Sequence, residues 1–308
     1  MFGDFYERPM VARIKSIFGN PKPPERITQV QFDGAQQALV RTSSKPWHEI
    51  GQEDYWHYLN DLSYVDLQPD LFDYLFPAFL IRWWEGQLNR LGGPQSESDI
   101  YFAIDQGQVF EKMMDDLKRR QVLTWMADAY IDGVDAWSGE LSVIYDSQGP
   151  NNLHGPLWSF HALGQSVAIT RSLLESLSNV STIGRAQWWL VLGSGLVWNE
   201  NECPAIPAWT PHGGGGGVYV TESDASIFDH GYLAENLRAI GKFLTYERLC
   251  THLGESAQVI PSSSHRDWAK TTWQECVTQT PRIERRIARL IQLLGLPDLG
   301  GVRNEPLD

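Results

Sequence analysis

A mainly α-helical protein is the fold class this sequence predicts. It reads as a helical N-terminal domain over residues 1–140, then a second mostly helical region over 141–308 with long loops and at most a little β. Three observations carry the prediction. Leu71, Leu75, Phe79 and Trp83 repeat every four residues, and so do Ile283, Ile287 and Ile291; each set marks one face of a helix. Two-residue alternation, the mark of a half-buried strand, gives a weak signal at Leu141, Val143 and Tyr145.

The first helix covers Met10–Phe18, closed by Gly19-Asn20, because Pro21, Pro23 and Pro24 forbid continuation. A second helical stretch runs from Gly34 to Val40, and a third covers Asp54–Leu59. Asp66 or Pro69 opens the aromatic helix, which carries Phe72, Tyr74, Phe76, Phe79, Trp83 and Trp84. Pro77 at its centre removes a donor, so the helix kinks or restarts there. Gly92-Gly93-Pro94 ends that block.

Ser96, Ser98 or Asp99 caps the next helix, with Ile100, Ile104, Met113, Met114 and Leu117 inward. Leu123, Met126, Ala127, Tyr130, Ile131 and Val134 extend the helical spacing to about Asp135. The pattern changes between Ser138 and Pro156, where the domain boundary is placed. Further helices are expected at Gln165–Leu177, Gly184–Asn199, Ser223–His252 and Arg266–Thr278, with a last one opened by Thr280-Pro281. Cys203–Gly217 is a Pro- and Gly-rich loop.

Composition bounds the function. The chain has 308 residues, is 42% hydrophobic and carries a net charge of −13, which fits a folded soluble protein and opposes phosphate-backbone binding. Neither a nucleic acid nor a membrane is an expected partner. The basic and acidic residues at Asp4, Glu7, Arg8, Arg13 and Lys15 interrupt any apolar block of signal-peptide type. Ala186–Trp198, the most apolar stretch, is too short to span a bilayer. Cys203, Cys250 and Cys276 lie far apart in sequence without CxxC spacing, so a disulfide framework is not expected and a reducing cytoplasm is. Thirteen Trp supply either core or partner anchors, and Trp83, Trp84, Trp188 and Trp189 are the candidate anchors.

Part of the N-terminal block has a family likeness. Ile14, Ile17-Phe18, Pro21 and Pro24 are followed by Trp47 and Ile50, then Leu62-Ser63-Tyr64 and Phe72-Asp73-Tyr74-Leu75-Phe76-Pro77-Ala78-Phe79-Leu80. This order resembles a bacterial family known only as a domain of unknown function. Its mark is an early helix ending in Phe, a Pro-containing stretch, a lone Trp, then a Phe-x-Tyr-Tyr-Leu-Pro-Ala-Phe-Leu phrase. Leu117–Ala127 resembles its closing helix. Leu75 stands where the family has Tyr and Phe76 where it has Leu, swaps of a kind that cores tolerate. The resemblance covers about residues 10–137, implies a small bacterial helical domain, and brings no activity with it.

Reactive constellations are weak. His212-Gly213-Gly214-Gly215 has the look of an esterase oxyanion loop, but no G-x-S-x-G follows it. Gly193-Ser194-Gly195 lacks the third glycine of a dinucleotide turn and reads as a tightly packed helix or strand whose glycines allow close approach. His154, His161, His212 and His230, with Asp229, form the candidate polar cluster of an enzyme seated in the 146–230 loops, although their spacing specifies no metal. No cofactor is expected. Asp128, Asp132, Asp135 and Glu140 read as a solvated helix end. Arg282, Arg285, Arg286 and Arg289 share a helical face, available to an acidic group or paired internally.

The function expected from these features is that of a protein-binding protein, of immunity or toxin-neutralising type, acting on a basic partner through an acidic, aromatic-rich surface. A His/Asp enzyme and a self-associating structural or phage-associated component are the alternatives.

Overall fold

The computed structural model describes residues 8–89, 100, 103, 104, 106–136, 167–198, 239, 241–261 and 264–293. Among them the regular structure is helical, with no strand. The chain divides into two compact units, Met1–Gly133 and Val134–Asp308. The sequence boundary near residue 140, the Leu141–Tyr145 alternation, the Gly92-Gly93-Pro94 stop and the Cys203–Gly217 loop all lie outside the described residues.

The first unit opens with α1 (Pro9–Phe18), whose Val11, Ile14 and Phe18 are buried at four- and three-residue spacing. Gly19 ends it in the left-handed conformation, φ 71°, and Asn20 donates back to the Lys15 carbonyl. Glycine adopts this backbone without a Cβ penalty. An extended stretch then leads to α2 (Gln36–Ser43), a single 3₁₀ turn at Trp47–Glu49 and α3 (Gln52–Tyr64). The Asp54 carboxylate begins α3 by accepting the Gly51 N–H at 2.9 Å and binding Lys45 Nζ at 2.7 Å. α3 thus starts earlier and ends later than the sequence pattern predicts.

The aromatic helix is α4 (Pro69–Asn89), and it runs through Pro77 as one element. The four-residue stripe is too narrow a description of it. Phe72, Phe76, Ala78, Leu80, Ile81 and Trp84 are buried along with Leu71, Leu75, Phe79 and Trp83. A helix apolar all round is a central helix. α1, α2, α3 and the 3₁₀ turn all pack against it. Phe72 stacks on Phe76 and Phe76 on Phe79, with centroids 4.7 and 5.9 Å apart.

α5 (Val109–Met113) and α6 (Asp116–Ala136) do not form the single run the sequence predicts. Met114 is extended, and the Asp115 carboxylate accepts the Lys118 N–H at 2.7 Å to start a new helix. The restart changes the helical phase, so Leu117, expected inside, is 60% exposed. Ile100, Ile104, Leu123, Met126, Tyr130 and Val134 are buried as the spacing requires. Gly107 lies hard against α3: a Cβ there would sit 1.9 Å from the Leu62 carbonyl oxygen.

The second unit contains α7 (Val167–Ser178), α8 (Ile183–Trp198), α9 (Tyr246–Val259), α10 (Ser264–Thr278) and α11 (Thr280–Leu293). α8, α9, α10 and α11 all touch one another. The helix expected over Ser223–His252 is interrupted. Phe243 is helical, but Thr245 is extended and its hydroxyl accepts the Arg248 N–H at 3.2 Å, so α9 starts afresh there. Gly193 does serve a close approach, since a Cβ would meet Leu253 Cδ2 at 2.6 Å. Ile283 and Ile287 of the last stripe are buried. No helix among the described residues is long and apolar enough to cross a membrane.

Candidate functional site

The informative surface lies on the first unit, on residues 28–32, Thr-Gln-Val-Gln-Phe, outside the helices. Burial alternates along these residues, and its usual order is inverted. Gln29 and Gln31 are buried, whereas Val30 is 74% and Phe32 53% exposed. Ordinary packing would put the apolar pair inside.

Hydrogen bonding explains the inversion. Gln29 Nε2 donates to Asp61 Oδ2 at 2.6 Å, and Gln29 Oε1 accepts the Gln68 N–H at 3.0 Å. Gln68 Oε1 in turn accepts the Thr28 N–H at 2.6 Å and the Gln29 N–H at 3.2 Å. The Gln31 main-chain N–H donates to Gln36 Oε1 at 2.9 Å, Ala35 N–H donates to Gln31 Oε1 at 2.6 Å, and Gln31 Nε2 donates to the His57 carbonyl at 3.4 Å. The buried amides are therefore held at both ends. They pin the segment through its polar side chains and leave its apolar side chains facing outward.

One face of α3 receives this segment. His57, Asp61 and Tyr64 lie at i, i+4 and i+7, the spacing of a single helical face. His57 Nδ1 is 2.8 Å from Asp33 Oδ2, Asp61 Oδ1 accepts the Phe32 N–H at 2.9 Å, and the Tyr64 ring stacks on Phe32 with centroids 4.4 Å apart. Tyr64 is 48% exposed, so the stacked pair is a surface feature. Burial pushes the Asp61 carboxyl above its usual range, against the opposing pull of the Phe32 and Gln29 N–H donors. The hydrogen bond with His57 holds the Asp33 carboxyl below it. Asp33 and Asp66 are exposed on residues flanking the pair.

The residues singled out from sequence fall elsewhere. His154, His161, His212, Asp229 and His230 lie outside the described residues. Trp83, Trp84, Trp188 and Trp189 are all buried and present no ring at the surface. Trp83 and Trp84 pack against Trp125 at 6.4 Å, and Trp84 Nε1 donates to Asp132 at 3.2 Å. Trp189 Nε1 donates to the Leu177 carbonyl at 2.8 Å, and Trp188 crosses Trp189 edge-on. A large apolar ring whose one donor is satisfied internally belongs to a core.

The arginine face is also differently employed. Arg286 is buried and donates to the Leu196 and Val197 carbonyls at 2.7 and 3.1 Å, at the C-terminal end of α8. Cations are favoured there, where helix carbonyls lack intrahelical partners. Burial, followed by the nearby Arg282 charge, lowers the Arg286 pKa. Arg282 donates to Gln279, while Arg285 is exposed and Arg289 half-buried.

Of the carboxylates read as a solvated helix end, Asp128 is exposed and Asp132 and Asp135 are half-buried. Asp128 pairs with Arg13 at 2.5 Å, Asp132 receives Trp84, and Asp135 takes Arg185 in a two-pronged contact at 2.6 Å. Glu140 lies outside the described residues. Among the described residues no three His, Cys, Asp or Glu side chains gather around a common point.

Sequence reasoning missed Val30, Phe32 and Tyr64. The signal was present in the Val30/Phe32 alternation, but an alternating pattern does not say which side is inside. Searches find no matching protein-family model, no matching curated protein and no matching solved structure. The likeness over residues 10–137 therefore stands on its quoted motif alone.

Proposed function

We propose that this chain is a cytoplasmic protein-binding protein whose contact surface is the Val30, Phe32 and Tyr64 face of the first unit. The observation that supports this reading is the inverted segment: two buried glutamines hold two large apolar side chains out in solvent. Exposing a stacked Phe–Tyr pair is unfavourable for an isolated protein and favourable for one that covers it on binding. The partner is a protein with a basic surface, since a net charge of −13 steers such a partner toward an acidic chain. Neutralisation of a basic toxin by covering its site is the narrower form of the same reading.

The test compares the wild-type chain with a Phe32→Ala/Tyr64→Ala double variant in affinity capture from the native host. The reading expects one basic protein retained stoichiometrically at low salt, released as salt rises, and absent from the variant eluate. Equal capture by both chains would overturn it, as would empty eluates at low salt. Light scattering on the same samples separates the alternative in which the face pairs with a second copy of itself.

A further inference from the structure

Cys250 on α9 and Cys276 on α10 are 26 residues apart, yet their Sγ atoms lie 3.0 Å apart. Even carbon atoms in ordinary contact sit ~3.5–4.0 Å apart, and a disulfide bond measures ~2.05 Å. The thiols are thus about 1 Å from bonding distance. The pair sits in a polar seam. Tyr246 and Cys250 stand one turn apart on α9, opposite Cys276 and Thr280. Tyr246 Oη lies 2.6 Å from Thr280 Oγ1 and donates to the Cys276 carbonyl at 3.4 Å. Cys250 is half-buried, while Cys276 is fully buried.

We propose that Cys250 and Cys276 form an oxidisable dithiol, which a small-molecule disulfide of the glutathione type closes into a reversible covalent clip between α9 and α10. Cys250 is the entry point because an incoming reagent can reach it. Its thiolate attacks one sulfur of the reagent, displaces one thiolate and forms a mixed disulfide. Cys276 then attacks the Cys250 sulfur, expels the second reagent thiolate and gives up its proton to it. The two protein thiols are oxidised and the reagent is reduced to two thiols, so atoms and electrons balance. Burial, with the adjacent Cys250, holds the Cys276 thiol well above the ordinary thiol range. In a reducing cytoplasm such a pair is open at rest and closes when oxidised glutathione accumulates. This inference does not depend on the binding surface described above.

The test uses the full chain in a Cys203→Ser background, incubated with oxidised glutathione and examined by intact mass and peptide mapping. The expected product has lost two hydrogens, retains no glutathione, yields a Cys250–Cys276 linked peptide, reverts with dithiothreitol and melts at a higher temperature than the reduced chain. The Cys276→Ser variant should stop as a stable glutathione adduct on Cys250, and the Cys250→Ser variant should remain unmodified. A wild-type chain that keeps the adduct, or that keeps two free thiols under conditions where Cys276→Ser is modified, would overturn the proposal. So would equal modification of Cys250→Ser.

Discussion

Replacing Trp189 by Ala tests whether the indoles are core material. Trp189 is fully buried, donates to the Leu177 carbonyl at 2.8 Å, and touches Trp188, Phe243 and the His252 ring, the last at 4.4 Å. Truncating a buried Trp to Ala costs ~3–5 kcal/mol through lost transfer energy and the cavity left behind. Leaving the Leu177 carbonyl unpaired adds ~1 kcal/mol or more. With a urea m-value of ~1–3 kcal/mol/M, the midpoint should fall by about 1–3 M or more. The transition is followed by far-ultraviolet circular dichroism, with hydrogen exchange assigning the loss to 167–198 and 241–293. Trp189→Phe keeps most of the ring and loses mainly the N–H, so it should cost ~1–2 kcal/mol. A Trp189→Ala chain within ~1 kcal/mol of wild type would refute the packing argument, as would a Phe variant no more stable than the Ala variant.

Three further outcomes follow from the same structure. Gly107→Ala should destabilise the first unit more than Gly193→Ala destabilises the second; the first places a methyl against the rigid Leu62 carbonyl, the second against the movable end of Leu253, and thermal melts of both variants check the order. Asp61 has a folded pKa above its unfolded value, so the stability it contributes is present below the ordinary carboxylate value near ~4 and is lost as pH rises through the elevated folded value. The stability difference between wild type and Asp61→Asn should therefore favour wild type more in acid than at neutrality, and a difference independent of pH would contradict it. Arg185→Lys should cost ~1–3 kcal/mol in chemical unfolding, because lysine cannot reproduce the two-pronged Asp135 contact while also reaching the Ser176 carbonyl at 2.7 Å.

The helical class was legible in the sequence because its signals are local. Gly19-Asn20 closes α1, Thr280-Pro281 opens α11, and apolar side chains recur at helical spacing between. What escaped was decided by distant partners. The Val30/Phe32 alternation is the pattern of a half-buried strand, and it is Asp61, Gln68, Ala35 and His57 that hold the glutamine side chains inward. Leu117 turned outward because the helix breaks at Met114-Asp115 and restarts in a different phase. The arginine face reads as open to an acidic group or paired internally with carboxylates, whereas Arg286 binds carbonyls at the end of α8. Composition offers the Trp residues as core or as anchors without choosing between these, and burial assigns all four candidates to the core. The contact between Cys250 and Cys276 depends on how α9 meets α10, which spacing alone does not encode.

Hydroxyl-radical footprinting of the purified chain, read residue by residue by mass spectrometry, tests most directly the division between packed and presented rings. The account predicts rapid oxidation of Phe32 and Tyr64, and protection of Trp83, Trp84, Trp125, Trp188 and Trp189 despite the greater intrinsic reactivity of indole. Protected Phe32 and Tyr64 beside freely oxidised Trp188 and Trp189 would contradict it.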